Sequence, residues 1–325
     1  RIESRGLGDV YKRQLLISLF ALSIYGVSNF RIDNYLTDEV NTNSRLYKEM
    51  SFFNDNFGGI KPVTFKIPIE KNVNIKILLN FEKFLQSNDF SLDFSLTSLV
   101  ENPEFVNKSM LKKITKDNYK IQTRMNDLGS KYSFAVFEKI KLKAKELALD
   151  LKVGGAGYLF DQVSNQLTRE ILYGLLIAIL TIGVLFVLIN GFNLNYFFVA
   201  LIPNVFPILV AIGILCLTNF YFSLSNAFIF AIVFGLIVDD SIHILSSYRF
   251  NISRGMDKEL AISNSMNITA RAVIKTTIVV IVSLLPLLLS EFKSVSQLSI
   301  ITIVSAVIAI VFDLLYLPKL IKKFL

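Results

Sequence analysis

The chain holds one cysteine, one histidine and no tryptophan. With Cys216 alone, no intrachain disulfide can form, and its place in an apolar run reads as an inert packing position. A lone histidine beside a lone cysteine cannot assemble a metal cluster, so no metal or organic cofactor is expected. Any aromatic belt at a membrane surface has to be built from the 28 Phe and 12 Tyr. The chain also lacks Gly-x-Ser-x-Gly, Gly-x-x-x-x-Gly-Lys and Gly-x-Gly-x-x-Gly. Nucleophilic acyl transfer and nucleotide binding through these motifs therefore have no footing. If the chain moves cargo, it does not do so by its own ATP hydrolysis.

What is present is apolar. Hydrophobic residues make up 53% of the chain and the mean hydropathy is +0.52, outside the range of soluble domains. The formal charge of +8 comes largely from Lys and Arg beside apolar runs. That pattern fits the positive-inside rule better than nucleic-acid binding, and no nucleic-acid partner is expected. Six spans are predicted: about 15–30, 171–189, 196–217, 226–248, 269–289 and 295–317. Pro203 and Pro207 fall inside the third, where neighbouring helices satisfy the freed carbonyls. Asp9-Val10-Tyr11-Lys12-Arg13-Gln14 looks like a translated transposon-end sequencing adapter, so Arg1–Gln14 is set aside as an artefact. A native basic flank is the alternative, and it leaves the topology unchanged.

About 31–170 is mixed and polar, of ordinary domain size. Lys61–Ile69, Phe90–Phe94, Tyr119–Met125 and Leu149–Val153 read as strands; Asn72–Leu85 and Ser133–Leu149 read as helices. The order is β-α-β twice, a ferredoxin-like α+β pattern. Leu99–Asp117 reads as helix plus loop, Thr218–Ser225 as an uncharged turn, and Arg249–Asn267 as a charged amphipathic segment along the surface. Arg249, Arg254, Lys258 and Arg271, with the tail lysines Lys319, Lys322 and Lys323, mark the cytoplasmic side. The α+β domain between the first two spans then lies in the periplasm of a bacterial cell.

The candidate site is Gly235-Leu236-Ile237-Val238-Asp239-Asp240-Ser241-Ile242-His243. Each carboxylate costs roughly 2.5–3.5 kcal/mol to insert near the bilayer centre, so both are expected to face a protein interior or a wet path. Asp239 and His243 share a helix face, and Gly235 leaves room for a neighbouring backbone. A proton relay through Asp239 and Asp240 is the functional reading; an ion pair locking helices together is the structural one. His243 either tunes the pair or packs. Lys275 and Asp313 lie at similar depth and are candidates for a salt bridge. Thr276 and Thr277 either reach the carboxylates or bond their own backbone.

On these residues the chain resembles one half of a resistance-nodulation-division (RND) transporter, of the MMPL-like exporter type. Phe57-Gly58-Gly59 and Asp313-Leu314-Leu315-Tyr316-Leu317-Pro318 support the likeness, which covers Leu15–Leu325. Leu284-Leu285-Pro286 departs from it, standing where a glycine is expected. The Asp-Asp-x-x-His form suggests the C-terminal half. The resemblance implies a secondary transporter rather than an enzyme, exporting hydrophobic or lipid-like substrates against protons. It also implies a missing N-terminal half, an oligomer, contact with membrane lipids and residence in the bacterial inner membrane. Asp239 and Asp240 would be its coupling residues. A Sec-type protein-export accessory and a sterol-sensing-like lipid-binding module are the alternatives.

Overall fold

A computed structural model describes residues 2–68, 75–99, 118–217 and 221–325. In chain order the elements are helix α1 (Ile2–Ser28), α2 (Arg45–Asn56), strand β1 (Lys61–Pro68), α3 (Ile75–Gln86), β2 (Phe90–Phe94) and α4 (Leu96–Leu99). They continue with β3 (Asn118–Met125), α5 (Ser130–Glu146), β4 (Lys152–Gly154), α6 (Ala156–Ile189) and α7 (Asn195–Cys216). The last are α8 (Leu224–Ser253), α9 (Lys258–Leu284), α10 (Lys293–Leu315) and α11 (Leu317–Phe324). Two units emerge: Ile32–Leu167, and Arg1–Arg31 with Thr168–Leu325.

In Ile32–Leu167 the strands form one antiparallel sheet in the order β2-β3-β1-β4, with α3 and α5 as the crossovers. Alternation in β1 turns Val63, Phe65 and Ile67 inward. Phe65 stands opposite Ile121 and Val153, makes ring contacts with Phe81 and Phe90, and shares one core with Leu78, Phe137 and Ile140. Burying each of these large side chains contributes about 1.5–3 kcal/mol. Gly59 sets the entry to β1. Its φ is +114°, and a Cβ there would fall 2.1 Å from the Met125 carbonyl, so glycine alone fits.

Element boundaries moved where turn geometry outweighs periodicity. Helix α5 starts at Ser130, because Gly129 (φ +89°) breaks the chain before it. Strand β4 is shorter than expected, since β1 pairs only with Lys152–Gly154. The 69–74 part of the first strand–helix connection, 100–117 of the predicted polar segment and 218–220 of the predicted turn lie outside the described residues.

Among the described residues, the other unit contains five helices long and apolar enough to cross a membrane: α6, α7, α8, α9 with its 3₁₀ extension to Leu289, and α10. Six had been expected. The apolar part of α1, Gln14–Ser28, is shorter. At 1.5 Å per residue it reaches roughly 22 Å, less than a ~30 Å hydrocarbon core. The segment Arg249–Asn267 is not a separate surface helix. Helix α8 runs on to Ser253, Gly255 turns the chain at φ +79°, and α9 begins at Lys258 with Asp257 as its N-cap. The α8 and α9 patterns each continue past the apolar run, so charge alone did not end the helices.

The close glycine contact lies between α1 and α7. A Cβ on Gly213 would sit 2.1 Å from the Leu22 carbonyl oxygen, and one on Gly26 2.6 Å from the Gly213 nitrogen. Two backbones approach there as small residues permit in membrane helices. Gly235 has open space around it, so the expected backbone approach at that position is not made.

Candidate functional site

The site is built by α8, α9 and α10. Successive residues on a helix project 100° apart, so Asp239, Asp240 and Ser241 fan out in three directions. Asp239 has a side chain 70% exposed at the open side of a cavity, and its Oδ1 lies 3.5 Å from Nε2 of His243, 63% exposed, which lines the same cavity. Asp240 is half-buried and faces this cavity, of about 250 Å³, between the three helices. Ser241 is buried and donates its hydroxyl to Oδ1 of Asp313 on α10 at 2.6 Å.

The two carboxylates are expected to face a protein interior or a wet path. Both line this cavity, Asp240 half-buried in its wall and Asp239 exposed at its open side.

The cavity wall opposite Asp240 is made by Thr276 and Thr277 of α9 and by Thr302, Ala306 and Ala309 of α10. The Thr277 hydroxyl is within hydrogen-bonding reach of Asp240 and also lies 2.8 Å from the Val273 carbonyl. Thr276 bonds the Ala272 and Val273 carbonyls. Thr276 follows the backbone-bonding habit of hydroxyls in apolar helices, whereas Thr277 also reaches the carboxylate.

Asp313 does not pair with Lys275. Its carboxyl is fully buried, Ser241 is its partner, and Oδ2 is enclosed without one. Lys275 is exposed on the outer face of α9, and no ion pair joins the two among the described residues. Similar depth along two helices does not bring side chains together when they point in different directions.

Sequence reasoning missed Ser241 as the partner of Asp313. The signal was a row at helical spacing on α10: Ser299, Thr302, Ser305, Ala309 and Asp313, all buried. Small and polar residues on one face mark a close, partly polar helix contact rather than a lipid face. The hydroxyls of Thr302 and Ser305 are themselves buried without partners. Fully buried Asp313 thus sits at one end of a polar row, and exposed Asp239 and His243 stand at the open side of the cavity that Asp240 also lines. Asp240 lies between these surroundings. Among the described residues no Lys or Arg pairs with Asp240 or Asp313; His243 stands within electrostatic reach of Asp240.

Five spanning-length apolar helices around such carboxylates define a multi-pass membrane protein. The sequence model of the MMPL family matches residues 96–322, which is most of the chain. The chain belongs to the MMPL family, whose members are membrane transporters of the RND/MMPL type and not enzymes. No individual curated protein matches it.

Proposed function

We propose that the chain works as one half of a proton-driven exporter of hydrophobic or lipid-like substrates in a bacterial inner membrane. The observation that carries this reading is the carboxylate arrangement. Asp240 borders a cavity, Asp313 is buried against a hydroxyl, and neither has an ion-pair partner among the described residues. A carboxyl held this way can load and release a proton, which a salt-bridged one resists.

Asp239 and His243, exposed at the open side of that cavity, would meet the N-terminal half, completing a twelve-span unit that assembles into an oligomer. Helix α1 would complete the sixth span on this side of the unit. The unit Ile32–Leu167 would be a ferredoxin-like porter domain in the periplasm; its strand order and two β-α-β crossovers support that reading. One charge crossing 100 mV is worth about 2.3 kcal/mol, enough for roughly fiftyfold accumulation per proton.

The test is export from cells or vesicles by the whole transporter carrying Asp239→Asn with Asp240→Asn. Export at background with normal protein level and helicity is expected. Export at the unmodified rate rejects proton coupling through this doublet.

A further inference from the structure

A second cavity lies away from the carboxylates, at the end of the five-helix unit where its loop cations gather. Three contacts define that end. An Arg249 guanidinium N–H donates to the Ile189 carbonyl at the close of α6. The Asn195 amide donates to the Phe324 carbonyl at 2.8 Å. Lys322 pairs with Glu259. The cavity, of about 220 Å³, has an apolar wall of Ile182, Leu185 and Phe186 on α6 and Ile242 and Leu245 on α8. Its rim is polar: Asn190, Tyr196, Ser246 and Arg249.

Two features identify the occupant. Helix α6 is thinly packed, with 11% of its apolar window buried, so the slot beside it opens toward the surrounding hydrocarbon. Arg249 is the one cation on the rim, stands within electrostatic reach of Tyr196, and is exposed. One of its five N–H donors is used by Ile189, and the others are free to hold a phosphate in the planar fork geometry that guanidinium favours. A neutral apolar molecule would leave the arginine without purpose, and a free phosphate would leave the slot unfilled. Cationic pockets between helices at the membrane surface suit acidic head groups.

We propose that this groove binds a phospholipid with an acidic head group, its phosphate on Arg249 and Tyr196 and part of one acyl chain in the slot along α6. This site is independent of the proton-relay reading.

The test is native mass spectrometry of the full chain in neutral detergent, titrated with phosphatidylglycerol or phosphatidylcholine. The unmodified chain should retain phosphatidylglycerol in preference to phosphatidylcholine. Arg249→Gln should weaken phosphatidylglycerol retention by about fivefold, the worth of one arginine near an acidic head group. Leu185→Trp, which fills the slot and keeps the arginine, should weaken it similarly; it also decides the matter if Arg249→Gln fails to fold. Arg254→Gln, whose guanidinium stacks on Phe250 at 4.2 Å, should leave retention unchanged. Equal retention of the two lipids overturns the proposal. So does unchanged phosphatidylglycerol retention in both groove variants, or its displacement by glycerol phosphate at matched concentration.

Discussion

In Ile32–Leu167 the buried acids face fixed partners. Glu82 accepts from the Leu96 and Thr97 amides, the Thr97 hydroxyl and the Tyr119 hydroxyl, and so caps α4. Asp127 and Asp161 hold the fully buried Lys61 Nζ at 2.6 and 2.8 Å, and Asp127 also accepts from the Thr37 amide and hydroxyl. In the five-helix unit the equally buried Asp313 meets one hydroxyl and no cation. The first pattern locks a loop, a strand and a helix together; the second leaves a carboxyl with no cation to hold it ionised, as the proposed relay requires. Identical chemistry is differently surrounded in the two units.

The largest effect should separate activity from stability. Asp313→Asn keeps the shape and the Ser241 contact while removing the titrating group. Export by the whole transporter should fall to background, while thermal unfolding shifts by no more than the equivalent of about 1 kcal/mol. A variant that exports normally would place Asp313 among the structural residues and erase the contrast.

Lys61→Met should do the reverse. It leaves Asp127 and Asp161 buried without their cation, a loss of about 3–5 kcal/mol for breaking a buried pair. Denaturant unfolding of the Ile32–Leu167 unit within the full chain, followed by amide exchange on β1 and β3, would measure it. A loss under ~1 kcal/mol would mean that this cluster, too, is loosely held.

Next come the glycines. Gly213→Ala drives a Cβ into the Leu22 backbone and should cost about 1–3 kcal/mol. Gly235→Ala, with open space around it in this chain, should stay within about 0.5 kcal/mol in the isolated chain. Thermal melts of the two side by side would check this, and equal losses would deny that the tight contact lies between α1 and α7. The smallest effect belongs to Lys275→Met: within about 0.5 kcal/mol on unfolding, with no coupling to Asp313→Asn in a double-mutant cycle.

Much of this was legible in the sequence. Strand β2 was placed to the residue, because Phe90 and Phe94 bracket an alternating run between turn signals. The long apolar runs gave α6 to α10, since length and hydropathy are local properties. The Asp-Asp-x-x-His segment pointed to a site because carboxylates in an apolar helix are costly wherever they stand.

What stayed hidden depended on direction rather than position. Both Asp239 and Asp240 line the cavity, but which of them is the more buried is set by how α9 and α10 lie against α8. The Lys61–Asp127–Asp161 cluster joins a strand, the loop after β3 and helix α6, with Lys61 and Asp161 100 positions apart, and only the tertiary fold brings them together. Lys275 and Asp313 matched in depth and still failed to meet, for the same reason.

The most direct measurement is carboxyl infrared difference spectroscopy on the whole transporter in membranes as pH is raised. A protonated carboxyl band that disappears with rising pH, and is diminished in both Asp240→Asn and Asp313→Asn, is the expected result. A spectrum in which neither substitution alters any titrating carboxyl band would contradict the claim that these acids carry protons.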